Sequence, residues 1–283
     1  MMKIKKIVSV ILCAIFLVCA MNAAAAAADD KPFYLVLGDS IAFGSGLSNP
    51  TQAVYGKIVA DTNNYDYVND AIPGSTTAAM YGLIQSDTVK EHIEKADIIS
   101  ISIGGNNYLV GNLPQMMVDC LVKHDTAIYD KVAQEYYADL CTIFAYIKEA
   151  NPDVVILMQT LYNPQVSYMG EVYQHGVDRI NACVRRYDEE HPGVIEIVDV
   201  ASKLTDHDTD FAADRVHPSA VGNEKIAVAV LEKLAELGLG TSTEPVINVP
   251  GKDAYLLAVM LRPLDIYAAL LHALSFVYRV FAK

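Results

Sequence analysis

The stretch Phe33–Gly46, FYLVLGDSIAFGSG, decides how the chain is read: five apolar residues of strand length run into Gly-Asp-Ser, and the sequence then loosens into glycines. Four more short runs rich in β-branched residues follow, at Tyr65–Val68, Asp97–Ile103, Val154–Gln159 and Val194–Val198. Longer helical patterns lie between them. Asp125–Ala150 carries Ile128, Val132, Tyr136, Leu140, Ile143 and Ile147 at three- and four-residue steps, and Asn151-Pro152 ends it. Two others cover roughly Gly170–Tyr187 and Ala220–Leu237, the second closed by Gly238 and Gly240. This alternation predicts an α/β fold of three layers, a parallel sheet of about five strands with helices on both faces. No internal repeat is present.

The 283 residues, 53% hydrophobic and 19% charged, are enough to bury a large core, which excludes a disordered chain. Residues 1–28 read as an export signal: Lys3, Lys5 and Lys6 form a basic start, Ile7–Ala20 an apolar centre, and Ala24–Ala28 a small-residue cleavage region. The apolar centre is short for a membrane-spanning anchor. Those 28 residues hold three lysines and no acid, so the remainder carries a formal net charge of −16, against −13 for the whole chain. Such a surface repels phosphate backbones, and nucleic acid is excluded as a partner. The expected location is therefore secreted or extracytoplasmic. Cys120, Cys141 and Cys183 remain after the signal, with no C-x-x-C pair and no metal-ligand spacing, and read as small apolar residues. A Cys120–Cys141 disulfide stays open in an exported protein.

Ligands of open parallel sheets bind at the carboxyl ends of the strands. Four polar segments sit there: Gly38-Asp39-Ser40 after the first run, Asn69–Ser75 (NDAIPGS) after the second, Gly104-Gly105-Asn106-Asn107 after the third, and Asp214–Ser219 (DRVHPS) beyond the fifth. Acyl transfer needs a nucleophile, a base, a group that orients the base, and donors for the developing oxyanion. Ser40 suits attack and His217 proton acceptance. Asp214, three residues earlier, suits holding the imidazole if the segment turns. Asn106 offers a side-chain amide, and Gly74 a backbone N–H unobstructed by a side chain. Each segment taken singly has a plainer reading: a Gly-Asp-Ser turn, a strand exit at Gly104-Gly105, an Asp214 cap on the next helix, a structural histidine.

Together, in this order, Gly38-Asp39-Ser40-Ile41 with Gly44, then Gly74, Gly104-x-Asn106 and Asp214-x-x-His217 resemble the SGNH hydrolases, also called GDSL lipases and esterases, over residues 33 to about 235. The resemblance implies a flavodoxin-like sheet with Ser40 as nucleophile and His217 and Asp214 completing the triad. It also implies an oxyanion hole from the Ser40 N–H, the Gly74 N–H and the Asn106 amide, and no metal or organic cofactor. Asn107 stands where an aspartate usually follows the asparagine. The signature G-x-S-x-G is absent around Ser40, as are H-E-x-x-H, G-x-x-x-x-G-K-[ST] and G-x-G-x-x-G. Asp206, Asp208 and Asp210 lack the glycine of a calcium loop and read as a solvated loop. His92, His124, His175, His191 and His207 read as surface or satisfied residues.

After a linker-like segment at 241–252, the chain from 253 to 283 turns apolar and mildly basic, net +2 over Lys252–Lys283. Leu256–Leu261 reads as a short helix before Pro263. From Asp265 onward an amphipathic helix is expected, with Asp265, Ala268, His272, Ser275, Arg279 and Lys283 on one side and Ile266, Leu270, Ala273, Leu274, Val277 and Phe281 opposite. It suits a membrane surface or a partner, or packing on its own domain. The expected layout is thus a signal at 1–28, a hydrolase domain at 29–240, a linker, and a helical tail. The expected function is an exported serine ester hydrolase acting on a small-molecule or lipid ester. Carbohydrate O-deacetylation and non-catalytic surface binding on the same fold are the alternatives.

Overall fold

The computed structural model describes residues 31–254 and 265–275. The expected signal, the helix at Leu256–Leu261, and Val277, Arg279, Phe281 and Lys283 of the tail lie outside the described residues. Five strands, β1 (Phe33–Gly38), β2 (Asp66–Asn69), β3 (Ile98–Ser102), β4 (Val155–Gln159) and β5 (Glu196–Val198), form one sheet in the order β2-β1-β3-β4-β5. Every pairing is parallel. The last run is shorter than its hydrophobicity suggests, because Ile195 is buried in the core before ladder pairing begins at Glu196.

Alternate residues of β1 enter different cores: Leu35 and Leu37 one, Tyr34 and Val36 the other. The helices in chain order are α1 (Ser40–Phe43), α2 (Pro50–Ala53), α3 (Tyr55–Asn63), α4 (Thr77–Ile84), α5 (Asp87–Lys95), α6 (Gly105–Leu109) and α7 (Leu113–Val118). A π-helical turn at Asp119–Lys123 leads to α8 (Ala127–Ala150), α9 (Ser167–Glu190) and α10 (Ala220–Glu236). The first core takes α4, α5, α8 and α9, and the second takes α3 and α10. On α8, Tyr136, Leu140, Phe144 and Ile147 are fully buried, each worth about 1.5–3 kcal/mol for a large apolar side chain. Asn151 ends that helix by donating to Ile93 O and Ala96 O at 2.9 and 2.8 Å, which ties it to the end of α5.

The segment 241–252 is held along the domain surface. Ser48 N donates to Lys252 O at 2.7 Å, Ala254 N to Gly46 O at 2.8 Å, and Val246 N to Thr62 Oγ1 at 2.9 Å. Residues 265–275 are helical. Over this span the sides reverse the simplest amphipathic expectation. Ala268, Leu271 and Ser275 are buried and His272 stacks on Tyr168, whereas Ile266, Leu270 and Leu274 are exposed. Small residues let the helix approach the domain closely, so the narrow face is the one that docks. Among the described residues no helix is long and apolar enough to cross a membrane.

Candidate active site

The strand order reverses between β1 and β3, and in a parallel sheet that is where loops part to leave a crevice. Ser40 leaves the end of β1 and Asn106 follows the end of β3, on either side of this point. Gly38 sets the approach: its φ is +141°, and a Cβ there would lie 2.1 Å from Ser102 O, so only glycine lets the two strand ends meet. Asp39 then caps α1, its Oδ1 accepting from Ile41 N at 2.9 Å.

The segment beyond β5 brings Asp214 and His217 to Ser40. Arg215 takes a left-handed conformation, φ 56°, which turns the chain so that Asp214 Oδ1 accepts from Val216 N and His217 N at 2.9 and 3.0 Å. Asp214 Oδ2 lies 2.6 Å from His217 Nδ1, and His217 Nε2 lies 2.8 Å from Ser40 Oγ. Burial alone would raise the Asp214 carboxyl. The hydrogen bond and charge of His217, with the two N–H groups, outweigh burial and hold it below the ordinary carboxylate value. The cap of α10 is not Asp214 but Ser219, whose side chain accepts from Gly222 N.

Asn106 Nδ2 donates to Ser75 O at 3.0 Å and lies 3.4 Å from Asp39 Oδ2. Gly74 precedes Ser75, exposed, with φ +84° and open space where a Cβ would stand. Its glycine is required by that backbone angle rather than by close approach. Among the described residues neither the Ser40 N–H nor the Gly74 N–H has a protein acceptor. Asp39 is buried, which pushes its carboxyl up to about 7 against the opposing Ile41 N–H and His217 charge.

Residues from neighbouring segments hold these loops in place. Tyr162 Oη donates to Val216 O at 3.2 Å and Gln165 Nε2 donates to Arg215 O, so the segment after β4 fixes the loop bearing the histidine. Asn107 Oδ1 accepts from Thr77 N at 3.1 Å, its Nδ2 donates to Thr77 Oγ1 at 2.7 Å, and Thr77 Oγ1 donates to Asp139. The carboxylate missing at 107 is thereby supplied from α8. The acidic loop is only partly solvated: Asp206 and Asp208 are exposed, but Asp210 is buried and paired with Lys225 at 2.6 Å. Cys120, Cys141 and Cys183 are free thiols, so no disulfide joins the first two.

An apolar pocket opens beside Ser40 and His217. Ile41, next to Ser40, and Val216, next to His217, stand in its wall with Tyr108, Leu113, Met116 and Tyr162. Leu109, after Asn106 and Asn107, also lines it.

A family model for the GDSL-like lipase/acylhydrolase family matches residues 36–225. The chain is 26% identical over 217 residues to the spore germination lipase LipC of Bacillus licheniformis, covering 73% of this chain and 96% of that one. The crystal structure of the lipase Lip_vut3 from a goat rumen metagenome superposes with a TM-score of 0.61 at 21% identity, over 74% of this chain and 99% of the other. Axe2, an acetylxylan esterase from Geobacillus stearothermophilus, does so with a TM-score of 0.54 at 22% identity, over 75% and 96%.

Proposed function

The chain belongs to the GDSL-like lipase/acylhydrolase family, and on that premise we propose that it is an exported serine hydrolase that cleaves lipid esters through Ser40, His217 and Asp214. The observation that carries the reading is the continuous chain of hydrogen bonds from Asp214 through His217 to Ser40 Oγ, at the mouth of an apolar pocket. With Asp214 accepting from Nδ1, Nε2 is left to accept the Ser40 proton as Oγ attacks the ester carbonyl. The negative charge that develops on the carbonyl oxygen meets the free N–H groups of Ser40 and Gly74. Asn106 adds the N–H now only 3.4 Å from Asp39, while its bond to Ser75 O keeps the amide oriented. His217 gives the proton to the departing alkoxide. A water deprotonated by His217 then releases the acid from Ser40.

The pocket sets the acyl side. Its wall beside Ser40 and His217 is apolar, built from Ile41, Leu109, Leu113, Met116, Val172 and Val216, and suits a hydrocarbon chain better than a hydrated sugar. A medium or long acyl chain is therefore favoured over the acetyl groups of a carbohydrate. The tail supports a lipid surface as the place of work. Ile266, Tyr267, Leu270 and Leu274 form an exposed apolar face, on a helix that stacks His272 on Tyr168 and pairs Asp265 with Arg215 at 3.8 Å, two residues from His217. The net +2 of Lys252–Lys283 suits it to anionic headgroups where the acidic remainder of the chain does not. Hydrolysis of p-nitrophenyl esters from acetyl to palmitoyl, with Ser40→Ala beside the native chain, tests the reading. The expected result is a rate rising with chain length beyond acetyl and falling by a factor on the order of 10⁴ or more in the variant. Equal rates in the two proteins would refute it.

A further inference from the structure

Cys120, Glu171 and His175 take no part in the triad or the oxyanion donors, and the fold brings them together. Cys120 lies buried in the π-helical turn Asp119–Lys123, a geometry found mostly as isolated turns and often at functional positions. Glu171 and His175 are one helical turn apart on α9 and so share a face. A thiol, a carboxylate oxygen and an imidazole nitrogen from these three all lie within 4.8 Å of one another. Ligands about a tetrahedral zinc with bonds of 2.0–2.3 Å stand roughly 3.5 Å apart, so side-chain rotation of about an ångström closes the set.

Cys120 is hydrogen-bonded to Tyr129 and to Glu171 itself, so thiol and carboxylate already meet within the cluster. Among the described residues no lysine or arginine pairs with Glu171, and neither ring nitrogen of His175 has a hydrogen-bond partner. Its ring only packs against Tyr129, centroids 5.4 Å apart.

We infer that Cys120, Glu171 and His175 bind a borderline-soft divalent metal ion of the zinc type, with a water in the fourth position. The donor set fits such an ion: thiolate and imidazole select against calcium and magnesium, which prefer oxygen. Thiolate and carboxylate balance its two charges, and the thiol proton leaves to solvent as the sulfur–metal bond forms. The ion bridges two elements and keeps one position open to water. It clamps the π-helical turn, which continues α7, to α9, and Met116 on α7 and Val172 on α9 both line the apolar pocket. Because none of the three belongs to the triad or the oxyanion donors, its binding is independent of the esterase reading, and an inactive Ser40→Ala protein binds it equally well.

Titration of the metal-free protein with cobalt(II), read by absorption, tests the site. The expected result is one equivalent bound with a sulfur-to-cobalt charge-transfer band. Cys120→Ser removes that band, and Glu171→Gln and His175→Gln weaken binding by more than about 100-fold, beyond what loss of a residue that merely orients a ligand costs. Zinc raises the melting temperature of the native chain and not of Glu171→Gln, whose exposed position keeps the fold intact. No charge-transfer band in the native protein, a band that persists in Cys120→Ser, or equal affinity in Glu171→Gln would each overturn the inference.

Discussion

Asp39 and Asp214 are buried carboxyls a few residues from the reacting atoms, and their surroundings push them in opposite directions. For Asp39 the folded value of about 7 exceeds the ordinary 3.8, so its contribution to stability is full below about pH 4 and is lost as pH rises toward 7. For Asp214 the folded value lies below 3.8, so its contribution is full above that pH and is lost as pH falls through the depressed value. Urea midpoints across pH should show this. Asp39→Asn flattens the decline between about pH 4 and 7, Asp214→Asn flattens the loss below about pH 4, and unchanged slopes would contradict the assignment. Asp214→Asn also leaves the imidazole without its acceptor at Nδ1, and kcat should fall about 10⁴-fold. Ser40, Asn106, Asp214 and His217 were legible in the sequence because segments that each have a plainer reading alone occur together in one order. Ser75 O, Asp139 and the Cys120 cluster were not, because a partner 30 to 60 residues away leaves no local spacing to read.

The loop after β3 shows how an element absorbs a changed residue. Thr77 Oγ1 has one proton and gives it to Asp139, so Asn107 must act as donor toward that oxygen. Asn107→Asp sets two acceptors against each other beside a fully buried threonine and should cost about 1–3 kcal/mol. Adding Asp139→Asn restores a donor and should recover most of the loss in urea unfolding; additive losses in the double variant would refute the network. On α9, Val177 faces the pocket, and Val177→Phe should shorten the preferred acyl chain, lowering the ratio of octanoyl to acetyl turnover by about 10-fold or more. An unchanged ratio would place the acyl chain elsewhere. The long helices and all five strands were readable from periodicity and β-branched runs, since two cores require apolar residues on both sides of the sheet. The inward side of the tail helix was not, because periodicity separates two faces without saying which one the domain will cover. Ala268 and Ser275 made the less apolar face the better fit.

At the scale of the molecule, the proposed function assigns chemistry to the acidic domain and location to the exposed apolar face of the tail. Leu270→Asp with Leu274→Asp changes two residues that are more than half exposed, so folding and hydrolysis of a soluble ester should hold while association with anionic liposomes is lost. Retained association would assign that face to something other than lipid. The wider claim is that the whole fold exists to present one activated serine at the end of β1. Labelling the intact protein with a fluorophosphonate and mapping the modified peptide by mass spectrometry tests it most directly. A single stoichiometric label on Ser40, absent from Ser40→Ala and strongly slowed in His217→Ala, is the predicted result. A native protein left unlabelled, or labelled at another serine, would contradict it.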